Sequence, residues 1–329
     1  MNELIYPPKL MTIIPTFKCT AECLHCCFGC NPRTTKRLSN EELFEYINEA
    51  ITLYSSIKLI VISGGECFLL GNDLFKLIEY IHGLGLKTRV VTNGYWANSK
   101  KEAEKTIDQL ICSGLTEINF STGDEHNMYV PIERVITGSV TAAEKGIENI
   151  FIAVEGGGKE ITTEKILLDS TMKHHNETNR NKVSVTTNIW VDFEKDVEPT
   201  NKKKMKPKGC KAILTSVQID PKSDMLACCG IAVTRLKHLT LGNLKENRMN
   251  ELHDVQFRDF VKIWLSYEGP AEILSYITGK SYEENHPCYY CYHLLNSEEN
   301  IEKLRNVSIE KIKKVLYDYK IKKEIETLN

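Results

Sequence analysis

The chain lacks the features that mark membrane, secreted and nucleic-acid-binding proteins. Its net charge is only −2 over 329 residues, so no overall charge attracts it to nucleic acid. No apolar stretch reaches the length of a transmembrane helix. The first residues lack the basic start and the apolar core of a signal peptide. We therefore expect a cytoplasmic protein that acts on neither nucleic acid nor membranes.

Cysteine, in contrast, is abundant and clustered. Of the twelve cysteines, five lie between Cys19 and Cys30 and five lie from Cys210 onward. In a reducing compartment this number favours metal or redox chemistry over a disulfide framework. The remaining two, Cys67 and Cys112, stand apart, and we expect both to be small buried hydrophobic residues.

The first cysteine group has the spacing CxxxCxxC, at Cys19, Cys23 and Cys26, and follows an apolar run over 10–17 that predicts a buried strand. Three thiolates on one short loop suit an iron–sulfur cluster. They leave one iron of a four-iron cube open, and an open iron can bind a small chelating molecule through its amine and carboxylate.

Two other uses of this loop remain open on the residues alone. A structural zinc ion needs a fourth ligand, and His25, Cys27 and Cys30 are all near. A disulfide knot is the second alternative.

A second motif follows the next predicted strand. The β-branched run 57–62 leads into Ser63, Gly64, Gly65 and Glu66. Two glycines at a strand end let a small ligand approach the backbone closely, and a carboxylate beyond them can accept hydrogen bonds from an ammonium group. Taken alone, the motif is also compatible with an ordinary strand-to-helix turn.

Together, the two motifs resemble the signatures of the radical S-adenosylmethionine (SAM) enzymes. The resemblance implies a [4Fe–4S] cluster on the three cysteines and SAM at the open iron. It also implies that Gly64, Gly65 and Glu66 hold the methionine amino group of SAM. His25 stands where the family usually has an aromatic residue that contacts adenine, and Cys67 replaces the usual proline. The implied chemistry is reductive cleavage of SAM to a 5′-deoxyadenosyl radical, which abstracts hydrogen from a substrate.

The first part of the chain alternates short β-branched runs with longer amphipathic stretches. We predict helices near 39–54, 71–83, 99–112, 131–145 and 161–174, and strands near 10–17, 57–62, 86–92, 115–121, 149–154 and 183–191. This alternation predicts an α/β fold with a parallel sheet and right-handed crossovers, and the family resemblance implies a partial (β/α)6 barrel.

Polar residues at the strand ends are further site candidates, because parallel sheets bind ligands at the carboxyl ends of their strands. Asn93 follows the third predicted strand. In the family, a polar residue at the end of the fourth strand contacts the SAM ribose, and Ser121 is our first candidate for it, with Asp124 as the second. Asp124 and His126 can instead face the substrate.

The second cysteine group spans a predicted β-hairpin, in which two short apolar runs flank the turn 220–224. Cysteines across a hairpin together with a later CxxC pair can converge on one zinc ion or one cluster. Their order resembles the twitch, or shortened SPASM, domain of radical SAM enzymes. The resemblance implies a second [4Fe–4S] cluster, with the ligands Cys210, Cys228, Cys288 and Cys291.

The predicted organisation has four parts. They are the barrel (1–195), a basic linker (196–209), a small auxiliary-cluster domain of hairpin plus helix (210–296) and a C-terminal helical tail (297–329). The linker is expected to be a solvated connector, and the alternative is a basic strip that touches an acidic stretch of a peptide. The apolar spacing of the tail favours packing against the barrel over a partner helix.

Cys229 lies beside a predicted cluster ligand, and neighbouring strand residues point to opposite faces, so both cannot easily bind one cluster. Cys229 in place of Cys228 as the ligand, and Cys229 as a buried spare thiol, are alternatives on the residues alone. Because radical SAM peptide epimerases use a cysteine as hydrogen donor, the lead function is epimerisation of a ribosomally made peptide with Cys229 as donor. The first alternative is thioether or carbon–carbon crosslinking, with the auxiliary cluster as electron acceptor. The resemblance also implies an external one-electron reductant of the flavodoxin or ferredoxin type. An alternative of another class is a non-catalytic zinc-binding interaction protein.

Overall fold

The structure, a computed structural model, describes residues 7–180, 182–191, 209–282 and 285–327. Strands of these residues form one sheet. In chain order they are β1 Leu10–Ile13, β2 Leu59–Ile62, β3 Lys87–Thr92, β4 Glu117–Thr122, β5 Asn149–Glu155, β6 Ser184–Asn188, β7 Val217–Ile219, β8 Asp224–Leu226 and β9 Thr240–Asn243. Their order across the sheet is β6–β5–β4–β3–β2–β1–β7–β8–β9.

Helices connect the strands and form the C-terminal region. They are α1 Asn40–Leu53, α2 Asn72–Gly83, α3 Lys100–Cys112, α4 Asp124–Asn127, α5 Ile132–Glu144, α6 Thr163–Leu168, α7 Ser170–Thr178, α8 Met249–Val255, α9 Phe260–Tyr267, α10 Pro270–Thr278, α11 Pro287–Leu295, α12 Glu298–Arg305 and α13 Ile309–Thr327. Each of β1 to β5 pairs in parallel with the strand that follows it in the chain, and helices cross over between them. The predicted α/β fold with a partial (β/α)6 barrel is confirmed.

Local signals explain most helix boundaries. Ser39 caps α1, because its hydroxyl accepts from the Glu42 amide while the Glu42 carboxylate accepts from the Ser39 amide at 2.9 Å. The helix predicted over 161–174 is instead two helices. Asp169 has extended backbone between them, and its carboxylate accepts from the amides of Thr171 and Met172. It therefore ends α6 and caps α7.

The predicted hairpin around 220–224 is confirmed, since β7 and β8 pair antiparallel. The Asp220 carboxylate closes the turn by accepting from the amides of Lys222 and Asp224 at 2.7 and 3.1 Å. The hairpin also extends the barrel sheet, because β7 pairs in parallel with β1. The sheet is therefore continuous from the barrel into the second cysteine region, and the domain boundaries given above stay predictions. Of the linker 196–209, all but Gly209 lies outside the described residues.

A second hydrophobic core lies beyond the hairpin and is centred on Trp264, which is fully buried. The predicted tail comprises two helices, α12 and α13. Asn306 ends the first and the Ser308 hydroxyl accepts from an amide at the start of the second. Helix α13 packs on α9, with Lys311 paired to Glu268 at 2.9 Å. The tail therefore covers the C-terminal helices, whereas we expected it to pack against the barrel.

None of the described helices combines the length and the apolar character that a membrane span requires.

Candidate active site

The first cysteine loop is closed at its base by backbone hydrogen bonds. The Cys19 amide donates to the Asn31 carbonyl at 3.1 Å, and the Asn31 amide donates to the Phe17 carbonyl at 3.3 Å. Within the loop, the Cys26 amide donates to the Cys23 carbonyl at 3.1 Å. The loop thus starts and ends beside the end of β1, and the three cysteines of the motif lie on one short, hydrogen-bonded turn.

The Gly-Gly-Glu segment packs directly on the backbone that leads into this loop. The Gly65 amide donates to the Thr16 carbonyl at 3.0 Å, and the Glu66 amide donates to the Lys18 carbonyl at 2.8 Å. A Cβ atom at Gly65 would lie 2.0 Å from the Lys18 oxygen, and Gly64 has a φ of +125°. Both positions therefore require glycine, the first for close backbone approach and the second for its conformation.

The Glu66 side chain contacts protein groups, whereas the sequence predicted a contact with SAM. Its side chain is completely buried, and its carboxylate accepts from the Phe68 amide, the Asn93 amide and the Thr92 hydroxyl at 2.8–3.1 Å. Burial raises the pKa of Glu66 to about 7, and these hydrogen bonds oppose that shift. The carboxylate therefore lies behind the site and fixes the end of β3.

A cavity of about 150 Å³ lies between the cysteine loop and the strand ends. It brings together most of the predicted site residues, namely Cys19, Cys23, His25, Cys26, Gly64, Gly65, Asn93 and Ser121. The Asn93 amide group donates to the Thr20 hydroxyl at 2.9 Å and lies 3.7 Å from the Cys19 sulfur. Asn93 thereby ties the end of β3 to the cysteine loop.

Asp124 is not among the residues that line this cavity. Its carboxylate instead accepts from the amides of Lys159, Glu160 and Ile161, and these hydrogen bonds lower its pKa against the opposing effect of burial. It fixes the loop after β5, and the contact of Asp124 with SAM or substrate stays a prediction. His126, two residues on, does line the cavity.

Burial and neighbouring groups shift the pKa values of the three thiols in different directions. Burial raises the pKa of Cys19 to about 11 and that of Cys23 to about 12, and interactions among the cysteines add to both shifts. A hydrogen bond from the Cys30 side chain lowers the pKa of Cys26 to about 6, against the effect of burial, and the Cys30 amide donates to the same sulfur at 3.3 Å. Three neighbouring sulfurs on one cavity wall fit a cluster that accepts three thiolates.

Two histidines and a tryptophan line one side of the cavity, and a carboxylate contacts one of the histidines. His25 Nδ1 lies 3.3 Å from Glu155 Oε1, and the rings of His25, His126 and Trp190 have centroids 5.6–5.9 Å apart. Burial lowers the pKa of His126 to about 4, so this ring is neutral at pH 7. Ligand atoms of the two histidines and Glu155 lie within 4.8 Å of one another, which is also a spacing that a metal ion can bridge. Sequence reasoning missed Trp190, although it lies near the end of a predicted strand.

The second cysteine group surrounds a separate cavity. Its lining includes all four predicted ligands, Cys210, Cys228, Cys288 and Cys291. Gly230 makes room between them, because a Cβ atom there would lie 3.1 Å from the Cys288 sulfur and 3.4 Å from the Cys228 sulfur. Burial raises the pKa of Cys228 well above its usual value, and the other three cysteines add to the shift. Four thiols converging around one space fit a cluster or a zinc ion.

The remaining cysteines lie in different surroundings. Cys229 is exposed and lines neither of these two cavities. Cys27 and Cys30 line the first cavity. Cys67 begins a short 3₁₀ helix and is fully buried, as expected. Its thiol donates to the Val91 carbonyl at 3.3 Å. Cys112 is exposed at the end of α3, so the prediction that it is buried is wrong.

The family model of the Radical SAM superfamily matches residues 13–163. Residues 13–163 form a radical SAM domain. This domain contains the first cysteine loop, the Gly-Gly-Glu segment and the carboxyl ends of β1 to β5. The signatures seen in the sequence thus agree with the family match and with the cavity that the fold builds from them.

Three known proteins are also similar to the chain. The putative peptide biosynthesis protein YydG of Bacillus subtilis (strain 168) is 30% identical over 125 residues, which is 37% of this chain and 38% of that protein. SuiB of Streptococcus suis, solved bound to precursor peptide SuiA, is 16% identical with a TM-score of 0.51, over 75% of this chain and 64% of that chain.

The structure of native anSMEcpe with bound AdoMet and Cp18Cys peptide is 12% identical with a TM-score of 0.53, and it covers 95% of this chain and 99% of that chain. At these identities the two structural likenesses concern the fold alone. The alignment with YydG covers well under two thirds of that protein. The fold likeness to anSMEcpe nevertheless extends beyond the radical SAM domain, because it covers nearly the whole chain.

Gly65→Ala should destabilise the protein by at least about 2 kcal/mol, because the new Cβ overlaps the Lys18 carbonyl oxygen. Gly83→Ala is the matched control, since a Cβ atom there meets nothing within 4 Å. Urea unfolding followed by circular dichroism measures both changes. Equal stability of the two variants would show that the backbone contact is looser than described.

Glu66→Ala should weaken SAM binding indirectly, and the loss of hydrogen bonds to a charged group should cost about 1.5–3 kcal/mol of stability. The structure gives the reason, since the Asn93 and Phe68 amides lose their acceptor and the end of β3 moves. The same change should lower the free energy of unfolding. Calorimetric titration with SAM and a urea titration measure the two effects, and unchanged values in both would contradict the role given to Glu66.

Proposed function

We propose that the chain is a radical SAM enzyme that modifies a ribosomally made peptide. The observation that carries this is the first cavity, where three cysteine thiols meet the Gly-Gly-Glu segment and the polar ends of β3 and β4. The peptide substrate is supported by the similarity to YydG, which is named for peptide biosynthesis. The two solved relatives with bound peptides share the fold of this chain and lend the same support.

In this proposal the cysteine loop binds a [4Fe–4S] cluster through Cys19, Cys23 and Cys26, and SAM binds beside it. When bound, the cluster and SAM supply one-electron cleavage of SAM to a 5′-deoxyadenosyl radical. The protein contributes binding, orientation and exclusion of water. Gly64 and Gly65 present backbone to the methionine part of SAM, and Glu66 keeps that backbone in place from behind.

The aromatic side of the cavity is assigned to the adenosyl part of SAM. His25 is buried, and its contact with Glu155 fixes the orientation of the imidazole. The faces of His126 and Trp190 complete an apolar wall with polar edges, which suits a purine. Ser121 lies at the end of β4 and donates to the Thr92 carbonyl at 3.5 Å, so its hydroxyl oxygen can accept from a ribose hydroxyl.

We propose a second [4Fe–4S] cluster on Cys210, Cys228, Cys288 and Cys291, because all four thiols line one cavity. Gly230 has no side chain that would fill the space between the thiols. The proposed cofactors are thus two clusters and SAM. An external one-electron reductant of the flavodoxin or ferredoxin type is required, since the reaction begins with the arrival of one electron. The proposed location is the cytoplasm.

The finer proposal is epimerisation with Cys229 as hydrogen donor. The radical removes an α-hydrogen from the peptide, and the Cys229 thiol returns a hydrogen atom to the opposite face. The thiol becomes a thiyl radical, which one electron from the external reductant and one proton restore. Because Cys229 is exposed and lies outside the first cavity, the peptide has to extend from that cavity to the surface at Cys229.

There are three alternatives to this proposal. Crosslinking shares the first hydrogen abstraction, after which the substrate radical loses an electron to the auxiliary cluster. Cys27 is a second candidate donor for epimerisation, because it lines the first cavity whereas Cys229 does not. A zinc-binding interaction protein would carry out neither reaction.

The triple variant Cys19→Ala, Cys23→Ala and Cys26→Ala should lose about half of the iron and all SAM cleavage after anaerobic reconstitution, because about four of roughly eight irons depend on this loop. Iron and sulfide analysis and detection of 5′-deoxyadenosine measure both. The control Cys112→Ala, which changes an exposed cysteine on α3, should change neither. Zinc without sulfide in the unchanged protein would refute the enzyme proposal, and 5′-deoxyadenosine from the triple variant would refute the cluster assignment.

In D₂O, epimerisation should place one deuterium at the inverted carbon, because a thiol hydrogen exchanges with solvent. Cys229→Ala should keep its iron and still cleave SAM, yet give little inverted product. Mass spectrometry of the peptide and chiral analysis of its residues are the measurements, and Cys27→Ala is the comparison variant. Loss of inversion in Cys27→Ala alone would move the donor role to Cys27. A crosslinked product without solvent deuterium would favour the crosslinking alternative.

A further inference from the structure

A short segment connects the two cysteine sites. We call residues 228–235 the clasp. Its first residue, Cys228, lines the second cavity, and the backbone amides of Ile231 and Ala232 donate hydrogen bonds to the Cys288 thiol. Its last three residues form a 3₁₀ turn that begins with the Val233 amide bonded to the Gly230 carbonyl at 3.1 Å. One end of the clasp thus belongs to the second cysteine site.

The other end of the clasp is hydrogen-bonded to the first cysteine loop. Arg235 Nη2 donates to the Cys26 carbonyl at 2.9 Å, and the Thr234 hydroxyl donates to the Cys27 carbonyl at 3.2 Å. These two contacts join positions more than 200 residues apart in the sequence. Cys26 is one of the three predicted ligands, so a guanidinium cation is fixed one peptide group away from a ligand thiolate.

The charge of Arg235 reaches the thiols of the loop. Arg235 interacts electrostatically with Cys27, which is adjacent to the proposed ligand Cys26. The guanidinium is partly buried, where the interaction between charges is stronger than in water. A cluster on this loop gains one negative charge when it is reduced. A fixed cation nearby therefore stabilises the reduced state, and the net charge around a cluster is one of the factors that set its potential.

We propose that Arg235 is a positioning residue that raises the reduction potential of the cluster bound by the first cysteine loop. The clasp places it there, so the same segment that supplies a ligand of the second site also sets how readily the first site accepts an electron. This inference rests on the proposed function, because it requires a cluster on the loop. It adds a role for a residue outside the radical SAM domain.

The test is a redox titration of the first cluster, followed by electron paramagnetic resonance in the absence of SAM. The unchanged second site keeps the clasp anchored, and the signal of the first cluster is identified as the one that later addition of SAM alters. Arg235→Gln should lower the reduced-to-oxidised ratio at a fixed potential about tenfold, which is about 59 mV for one electron. Arg235→Lys should keep most of the wild-type ratio, because it keeps the charge.

Thr234→Val is the control, because it removes the neighbouring hydrogen bond of the clasp and leaves the charge in place. It should leave the potential unchanged. An equal fall in Thr234→Val and Arg235→Gln would show that the contact is only structural, and an unchanged potential in Arg235→Gln would overturn the proposal. Absence of any iron–sulfur signal in the unchanged protein would instead defeat the proposed function itself.

A second pair of variants covers the case in which Arg235→Gln does not fold. Thr234→Glu places a carboxylate beside the guanidinium and should lower the potential, because the two charges cancel. The Thr234→Gln side chain has the same shape as that of Thr234→Glu but no charge, so it should not lower the reduction potential. The same potential in both variants would contradict the proposed role of the Arg235 charge.

Discussion

The site depends on one backbone contact, in which the Gly-Gly-Glu segment lies against residues 16–18. Two hydrogen bonds join them, from the Gly65 amide to Thr16 and from the Glu66 amide to Lys18. Because residue 19 begins the cysteine loop, this contact sets the distance between the loop and the ends of β2 and β3. The cavity exists because that distance is fixed. The two glycines are therefore a packing requirement of the fold as well as a surface that can accept a ligand.

Much of this site was predictable because its residues follow strands. Asn93 and Ser121 line the cavity for the reason that the sequence suggested, since the carboxyl ends of parallel strands meet at one edge. The two carboxylates were harder to place. A carboxylate at a strand end can face a ligand or accept from backbone amides, and Glu66 and Asp124 both do the second. Sequence spacing does not distinguish these uses, because the donors come from distant segments.

The position of the hairpin in the sheet was also not predictable from the sequence. Its turn residues and flanking apolar runs predicted β7 and β8 from local chemistry alone. The partner of β7 is β1, more than 200 residues earlier, and no local pattern carries that information. This pairing has a direct consequence for the site. It keeps the second cysteine region beside the strand that leads into the first cysteine loop, and Arg235 reaches the Cys26 carbonyl across that junction.

The buried thiols also govern how the first site can be filled. Hydrogen bonds from Cys30 lower the pKa of Cys26 and favour its thiolate, whereas burial raises the pKa of Cys19 and of Cys23. A metal ion that binds the three cysteines has to displace protons from thiols. Filling the site is therefore coupled to proton release. The hydrogen bonds that favour the Cys26 thiolate offset part of this cost before any metal arrives.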